Sequence, residues 1–284
     1  MSPMVSALRT VLIGSAAVAA AARPLCRSCR RRQRRRQQAA HAARLRPMDL
    51  EQIPARGHRS SLNRAGCTRG TAWVLDGARG AQEPDKAASY VDALSQAIDT
   101  TLTRTPDISL DELARRAARV FGPAGCQAEL ALTRREGTRI SHVVIGDVAV
   151  LVSQPGGSVS CVQDMRISEV AGPQRAEWAT AAACGRGDAD ELQSQLMEEE
   201  TRWRNTPGGF WVIEPGRTDA VDHALTGSTL SNEPVVLATQ GALLNMGADE
   251  LYWQATGPRG SARGAALTAW QVAAGVADVA VAVF

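Results

Sequence analysis

From Arg139 to Asp164 the chain reads RISHVVIGDVAVLVSQPGGSVSCVQD, and this run constrains the fold more than any other. RISHVVIGDVAVLVSQ and SVSCVQD are β-branched, apolar stretches of strand type. Pro155-Gly156-Gly157 stands between them as a hairpin turn. Neighbours joined so tightly are antiparallel, because parallel strands need a long crossover.

The flanking segments extend that reading. TAWVLDGARG (71–80), CQAELALTR (126–134), GGFWVIEP (208–215), PVVLATQG (234–241) and ADVAVAVF (277–284) read as strands, with Val235–Ala238 a buried one. Residues 86–104 carry Ala88, Val91, Leu94, Ala97, Ile98 and Leu102 at helical spacing. SLDELARRAARVF follows as a second helix, with Ser109 and Glu112 in capping-box spacing. Residues 174–204 read as two helical pieces parted near Gly185–Gly187, the second with Leu192, Leu196 and Trp203 inward. Residues 261–274 are expected to be helical. Helices thus come in pairs between groups of strands, with no βαβ rhythm. The class is α+β, a layered sandwich of largely antiparallel sheets. There is no G-x-G-x-x-G, no P-loop, no internal repeat and no G-x-S-x-G elbow.

Charge divides the chain. Residues 1–46 hold eleven arginines and no acid, so the net +3 of the whole leaves −8 for residues 47–284. An acidic body does not support nucleic-acid binding by the folded domain. Val11–Ala22 is apolar but too short to span a bilayer, and most of the basic charge follows it, unlike a signal peptide. A weak membrane anchor, a solvated arginine-alanine tail, and a true start at Met48 are the three readings; the composition shift at Met48 favours the last two. The domain is taken as residues 48–284, and a membrane partner is not expected. Cys26 and Cys29 form a C-x-x-C without a second pair, and the four scattered others, Cys67, Cys126, Cys161 and Cys184, read as buried thiols of a reducing cytoplasm.

Four polar residues share one design, a strand delivering them at or near its end: Asp76, Asp147, Gln240 and Asp278. Acids so placed on stacked sheets would suit two divalent cations and an activated water. Each taken alone is also an ordinary turn residue.

WVLDGA, IGDVAVL, RNTPGGFWV, HALTGS, VLATQGA and ADVAVAVF, in that order, resemble the metal-dependent protein phosphatases of the 2C (PPM) type. The likeness is greatest to a bacterial branch and covers about Leu50 to Phe284. It implies a four-layer αββα sandwich binding two Mn²⁺ or Mg²⁺ and hydrolysing phosphoserine and phosphothreonine. Carried over by residue, it places metal-ligand positions at Asp76, the Gly77 carbonyl and Asp147, with Val148 where a serine is usual. It also puts neutral side chains, Asn63, Gln240 and Ala277, where three metal-binding acids belong; Asp278 matches a position that is not a ligand. Asn63 and Gln240 offer carbonyl oxygens without charge, and Ala277 offers nothing.

One expectation is therefore a phosphatase-fold protein with little or no catalysis, acting by binding a phosphoprotein or regulatory protein partner. A second is an active phosphatase recruiting other acids, from Glu129, Asp164, Glu169 and Asp222. A third is an unrelated α+β interaction domain. No catalytic residue is assigned. Arg204 would either contact a phosphate or hold the Gly208-Gly209 turn, His223 is read as structural, and Trp211 and Trp253 as core.

Overall fold

The computed structural model describes residues 49–53, 62–78, 84–154, 156–243, 246–257, 260–272 and 279–284. Residues 1–47, Ala277 and Asp278 lie outside these. The strands are β1 (Asp49–Ile53), β2 (Arg64–Thr68), β3 (Thr71–Ala78), β4 (Gln127–Glu136), β5 (Arg139–Ile145), β6 (Ala149–Ser153), β7 (Val159–Gln163), β8 (Leu225–Leu230), β9 (Val235–Ala238) and β10 (Val279–Val283). The helices are α1 (Pro84–Arg104), α2 (Leu110–Ala118), α3 (Arg166–Ala183), α4 (Ala189–Trp203), α5 (Asp219–Asp222), α6 (Gln240–Leu243), α7 (Ala248–Thr256) and α8 (Ala262–Val272).

Two five-stranded sheets form, in the orders β1-β10-β9-β6-β7 and β2-β3-β4-β5-β8, and the strand pairs within them are antiparallel. Their facing sides bury Val74, Ala131, Val144, Val148, Val150, Val235 and Leu237 against one another. The outer face of the second sheet, with Leu75, Leu130 and Val143, packs on α1 and α2 through Val91, Leu94, Ile98, Leu102 and Leu113. The outer face of the first packs on α7 and α8 through Leu251, Tyr252, Ala262, Ala265 and Ala269. The result is the four-layer αββα sandwich. Successive side chains point to opposite faces, so unbroken apolar runs give the central strands two apolar faces, and both are covered.

Local signals hold at several points. The Ser109 hydroxyl accepts the Glu112 N–H at 3.2 Å, capping α2. Ser95 accepts the Trp73 indole N–H at 3.0 Å, tying α1 to β3. β6 and β7 pair antiparallel, as the expected hairpin requires, and Pro155 lies outside the described residues.

Three expectations need correction. RISHVVIGDVAVLVSQ is not one strand: β5 and β6 belong to different sheets, separated by Gly146-Asp147-Val148. β6 and the end of β5, Val143 to Ile145, are buried on two faces, so the apolar pattern runs on unbroken through the crossing. GGFWVIEP forms isolated bridges, Arg204 to Phe210 and Ala128 to Ile213, in place of a strand. Trp253 is 47 % exposed and is not core, whereas Trp211 is buried.

Candidate functional site

The crossing between the sheets positions the site. Gly146 has φ +83°, a left-handed conformation that favours glycine. A Cβ there would also stand 2.4 Å from Cγ of Glu129. The chain turns tightly over that side chain and leaves Asp147 fully buried at the turn. The Asp147 N–H donates to Glu129 Oε2 at 3.0 Å, and its carbonyl accepts the Gln163 amide at 2.7 Å.

Glu129 on β4 is in register with Asp76 on β3, which brings a second carboxylate to the same end of the sheet. The next residue, Gly77, donates its N–H to the Leu62 carbonyl at 3.2 Å. A Cβ at Gly77 would lie 2.6 Å from that oxygen, so the close approach requires glycine. Leu62 leads into Asn63, whose buried amide nitrogen reaches Thr239 Oγ1 at 3.4 Å. Thr239 precedes Gln240, and its hydroxyl accepts the Ala280 N–H at 3.0 Å. Gln240 opens the short helix α6.

A residue that no sequence spacing singled out closes this circuit. Arg175, on α3, donates through Nη1 to Asp147 Oδ2 at 2.5 Å and to Gln240 Oε1 at 2.8 Å. Its Nε donates to Glu200 Oε1 on α4 at 2.7 Å. The side chain is 20 % exposed and that of Asp147 is 2 % exposed. Burial by itself would lower the guanidinium's pKa, but Asp147, Glu200 and Glu129 outweigh it and hold the charge on. Glu129 behaves oppositely. Burial first, then Asp147 and Asp76, push its carboxyl well above the usual range, and Arg175 offsets only part.

Asn63, Asp76, Gly77, Asp147 and Gln240 are thus gathered at one end of the sandwich. Of the four acids considered as recruits, Glu129 lies here. Asp164 is committed to Arg166 (2.8 Å), Asp222 to Arg115 (2.6 Å), and Glu169 is exposed. Arg204 gives Nη1 to Gln127 at 2.6 Å and Nε to Glu214 at 3.0 Å, beside the Gly208-Gly209 turn. That turn is anchored by Asn205, whose N–H donates to the Phe210 carbonyl at 2.7 Å and whose Oδ1 accepts the Val212 N–H at 2.9 Å. His223 stacks on Trp211 with ring centroids 3.6 Å apart, as a structural histidine would.

Among the described residues the donor set is a poor fit for a pair of divalent cations. Such ions want several oxygen ligands, mostly carboxylates, to offset dehydration and mutual repulsion. Among the described residues no three His, Cys, Asp or Glu side chains gather as a metal site, and Asp147 and Gln240 already share a guanidinium.

No protein-family model matches the sequence, and no curated protein matches it in sequence. Solved structures do match in fold. The PPM Ser-Thr phosphatase MsPP of Mycobacterium smegmatis, solved with cacodylate, aligns over 84 % of this chain and 97 % of its own at 15 % identity and TM-score 0.55. Serine/threonine phosphatase Stp1 of Staphylococcus aureus aligns over 83 % and 93 % at 10 % identity and TM-score 0.57. The catalytic domain of the phosphatase PstP, solved with two manganese ions, aligns over 84 % and 96 % at 14 % identity and TM-score 0.51. The fold of this chain is that of the bacterial PPM-type phosphatases.

Proposed function

We propose that this protein uses the PPM phosphatase fold as a binding module and does not turn over phosphoserine or phosphothreonine. The observation that carries this reading is the Arg175 guanidinium seated between Asp147 and Gln240. Phosphoester hydrolysis by two metals needs a clamp on the attacking and leaving oxygens. Here the most buried carboxylate has a protein cation as its counter-charge, and the amides Asn63 and Gln240 bring no charge. The fit to Mn²⁺ or Mg²⁺ is correspondingly poor, although the fold is one in which PstP holds manganese.

The same electrostatics bear on the partner. Arg175 is one cation beside Asp76, Asp147 and Glu200, so a phosphate dianion entering this end of the sandwich would meet surplus carboxylate. A regulatory protein therefore suits this end of the molecule better than a phosphoprotein docked by its phosphate. We place the protein in the cytoplasm, on its free thiols at Cys67, Cys161 and Cys184. Among the described residues no helix is long and apolar enough to cross a membrane.

A second reading has one observation in its favour. Glu129, which the resemblance does not use, stands beside Asp76 and Asp147, and could complete an unconventional metal set if Arg175 withdrew. The test is hydrolysis of a phosphothreonine peptide by the full chain with Mn²⁺ and with EDTA, beside an Asp76→Ala variant. The expected result is no turnover above that variant. Turnover that requires both Mn²⁺ and Asp76 would establish the active reading instead.

A further inference from the structure

Helices α3 and α4 form a hairpin with a small apolar footing. Ile167 and Val170 on α3 and Trp203 at the end of α4 meet Phe210 and Val212, in the loop that follows the hairpin itself. The 15-residue α4 buries Leu196 and no other side chain. Helix α3 also carries a weak point. Pro173 lies inside it, lacks an N–H for the Glu169 carbonyl, and follows Gly172. Arg175 comes two residues later.

Polar ties supply what the apolar footing lacks. At the base of α3, Arg166 holds Asp164 and donates to the His223 carbonyl at 2.9 Å. Further along, Arg175 joins three elements at once: the turn after β5 through Asp147, the start of α6 through Gln240, and α4 through Glu200. A planar guanidinium can serve several acceptors in fixed directions, which an ammonium on a flexible stem does less well.

We infer that Arg175 is a built-in counter-cation, taking at Asp147 the place a divalent metal would need and clasping the α3–α4 hairpin onto this end of the sandwich. The inference rests on the non-catalytic reading of the site and adds how that site is kept closed. A cation supplied by the chain is ordered once, on folding, so closure does not depend on metal concentration. A metal seeking Asp147 must first displace a guanidinium held by three acceptors, and leave it near a like charge. Arg175 here is a positioning residue, acting through the hairpin it holds.

Hydrogen exchange of the full chain, followed by mass spectrometry with and without Mn²⁺, tests this. In Arg175→Met, residues 166–203 should exchange faster by on the order of tenfold or more, while β3, β4 and β5 keep their protection. Asp147→Asn should loosen the same segment, and Arg175→Lys should restore part of its protection, because it keeps the charge but not the fork. Mn²⁺ should leave the wild-type pattern unchanged. The clasp is overturned if Mn²⁺ slows wild-type exchange around Asp147, or if the hairpin exchanges at the wild-type rate in the three variants. If Arg175→Met loses protection throughout, Asp147→Asn and Arg175→Lys decide, by whether the loss is confined to the hairpin. Hydrolysis by the wild type would remove the non-catalytic reading, and the exchange rates would still judge the clasp separately.

Discussion

Two pairs of helices in this molecule have much the same secondary structure and different attachments. Helices α1 and α2 bury Val91, Leu94, Ile98, Leu102 and Leu113 completely against the β2-β3-β4-β5-β8 sheet. Helices α3 and α4 bury Ile167, Ala171, Ala181 and Leu196, and lean on Arg166 and Arg175. Apolar burial is non-directional and scales with area, so the first pair belongs to the cooperative core. Ion pairs are directional and depend on a few atoms, so the second pair can part from the body without unfolding it. The same fold therefore contains a layer that fixes the architecture and a layer that covers the site.

The comparison can be broken most forcefully at Leu94. Leu94→Ala should cost about 2–5 kcal/mol, seen as a lower denaturation midpoint and faster exchange across both sheets. A loss confined to α1 would mean that this layer is no more cooperative than the hairpin. Leu196→Ala makes the same chemical change in the other layer. It should shift the global midpoint by less than about 1 kcal/mol, because the hairpin opens locally, while accelerating proteolysis near residues 184–188. An effect as large as that of Leu94→Ala would erase the contrast.

The smallest effect is a titration within the sheet. His142 on β5 faces Gly227 of β8, where an added Cβ would lie 2.9 Å from its Nε2. Burial lowers its pKa below 6.5, so the folded state prefers the neutral ring. Unfolded chains take up a proton near pH 6.5 and the folded one only at lower pH, so stability falls as pH drops below that value. His142→Asn should flatten this part of the profile, measured by denaturant midpoints between about pH 7 and pH 5. Exchange in the hairpin should not follow it.

Much of the layering was legible in the sequence because it depends on local signals. The Ser109 cap, the spacing from Ala88 to Leu102 and the Pro155-Gly156-Gly157 turn act within a few residues, and the elements formed where they pointed. β8 was missed, since LTGSTL is an exposed edge strand without apolar alternation. The passage from β5 to β6 was misread because a strand buried on both faces looks the same in either sheet. At the site, Asp76, Gly77, Asp147, Asn63 and Gln240 stand at one end of the sandwich, and Ala277 lies outside the described residues. Arg175 was not legible in the sequence, because nothing in EVAGPQRAEW sets it apart from a solvated helix arginine. Its role exists only once Asp147 and Gln240, distant in the chain, stand beside it.

The Gly146-Asp147-Val148 turn is a mechanical link as well as a place for a carboxylate. Three residues carry the chain from one sheet to the other, and Val148 is wedged in the layer where the sheets face each other. A short tether cannot absorb much relative displacement of the bodies it joins. Any slide of one sheet over the other, whether from a repacked Val150 or from a partner pulling on an outer helix, must appear as a movement of Asp147. The buried carboxylate at this turn is thereby a gauge of how the two halves of the sandwich are seated.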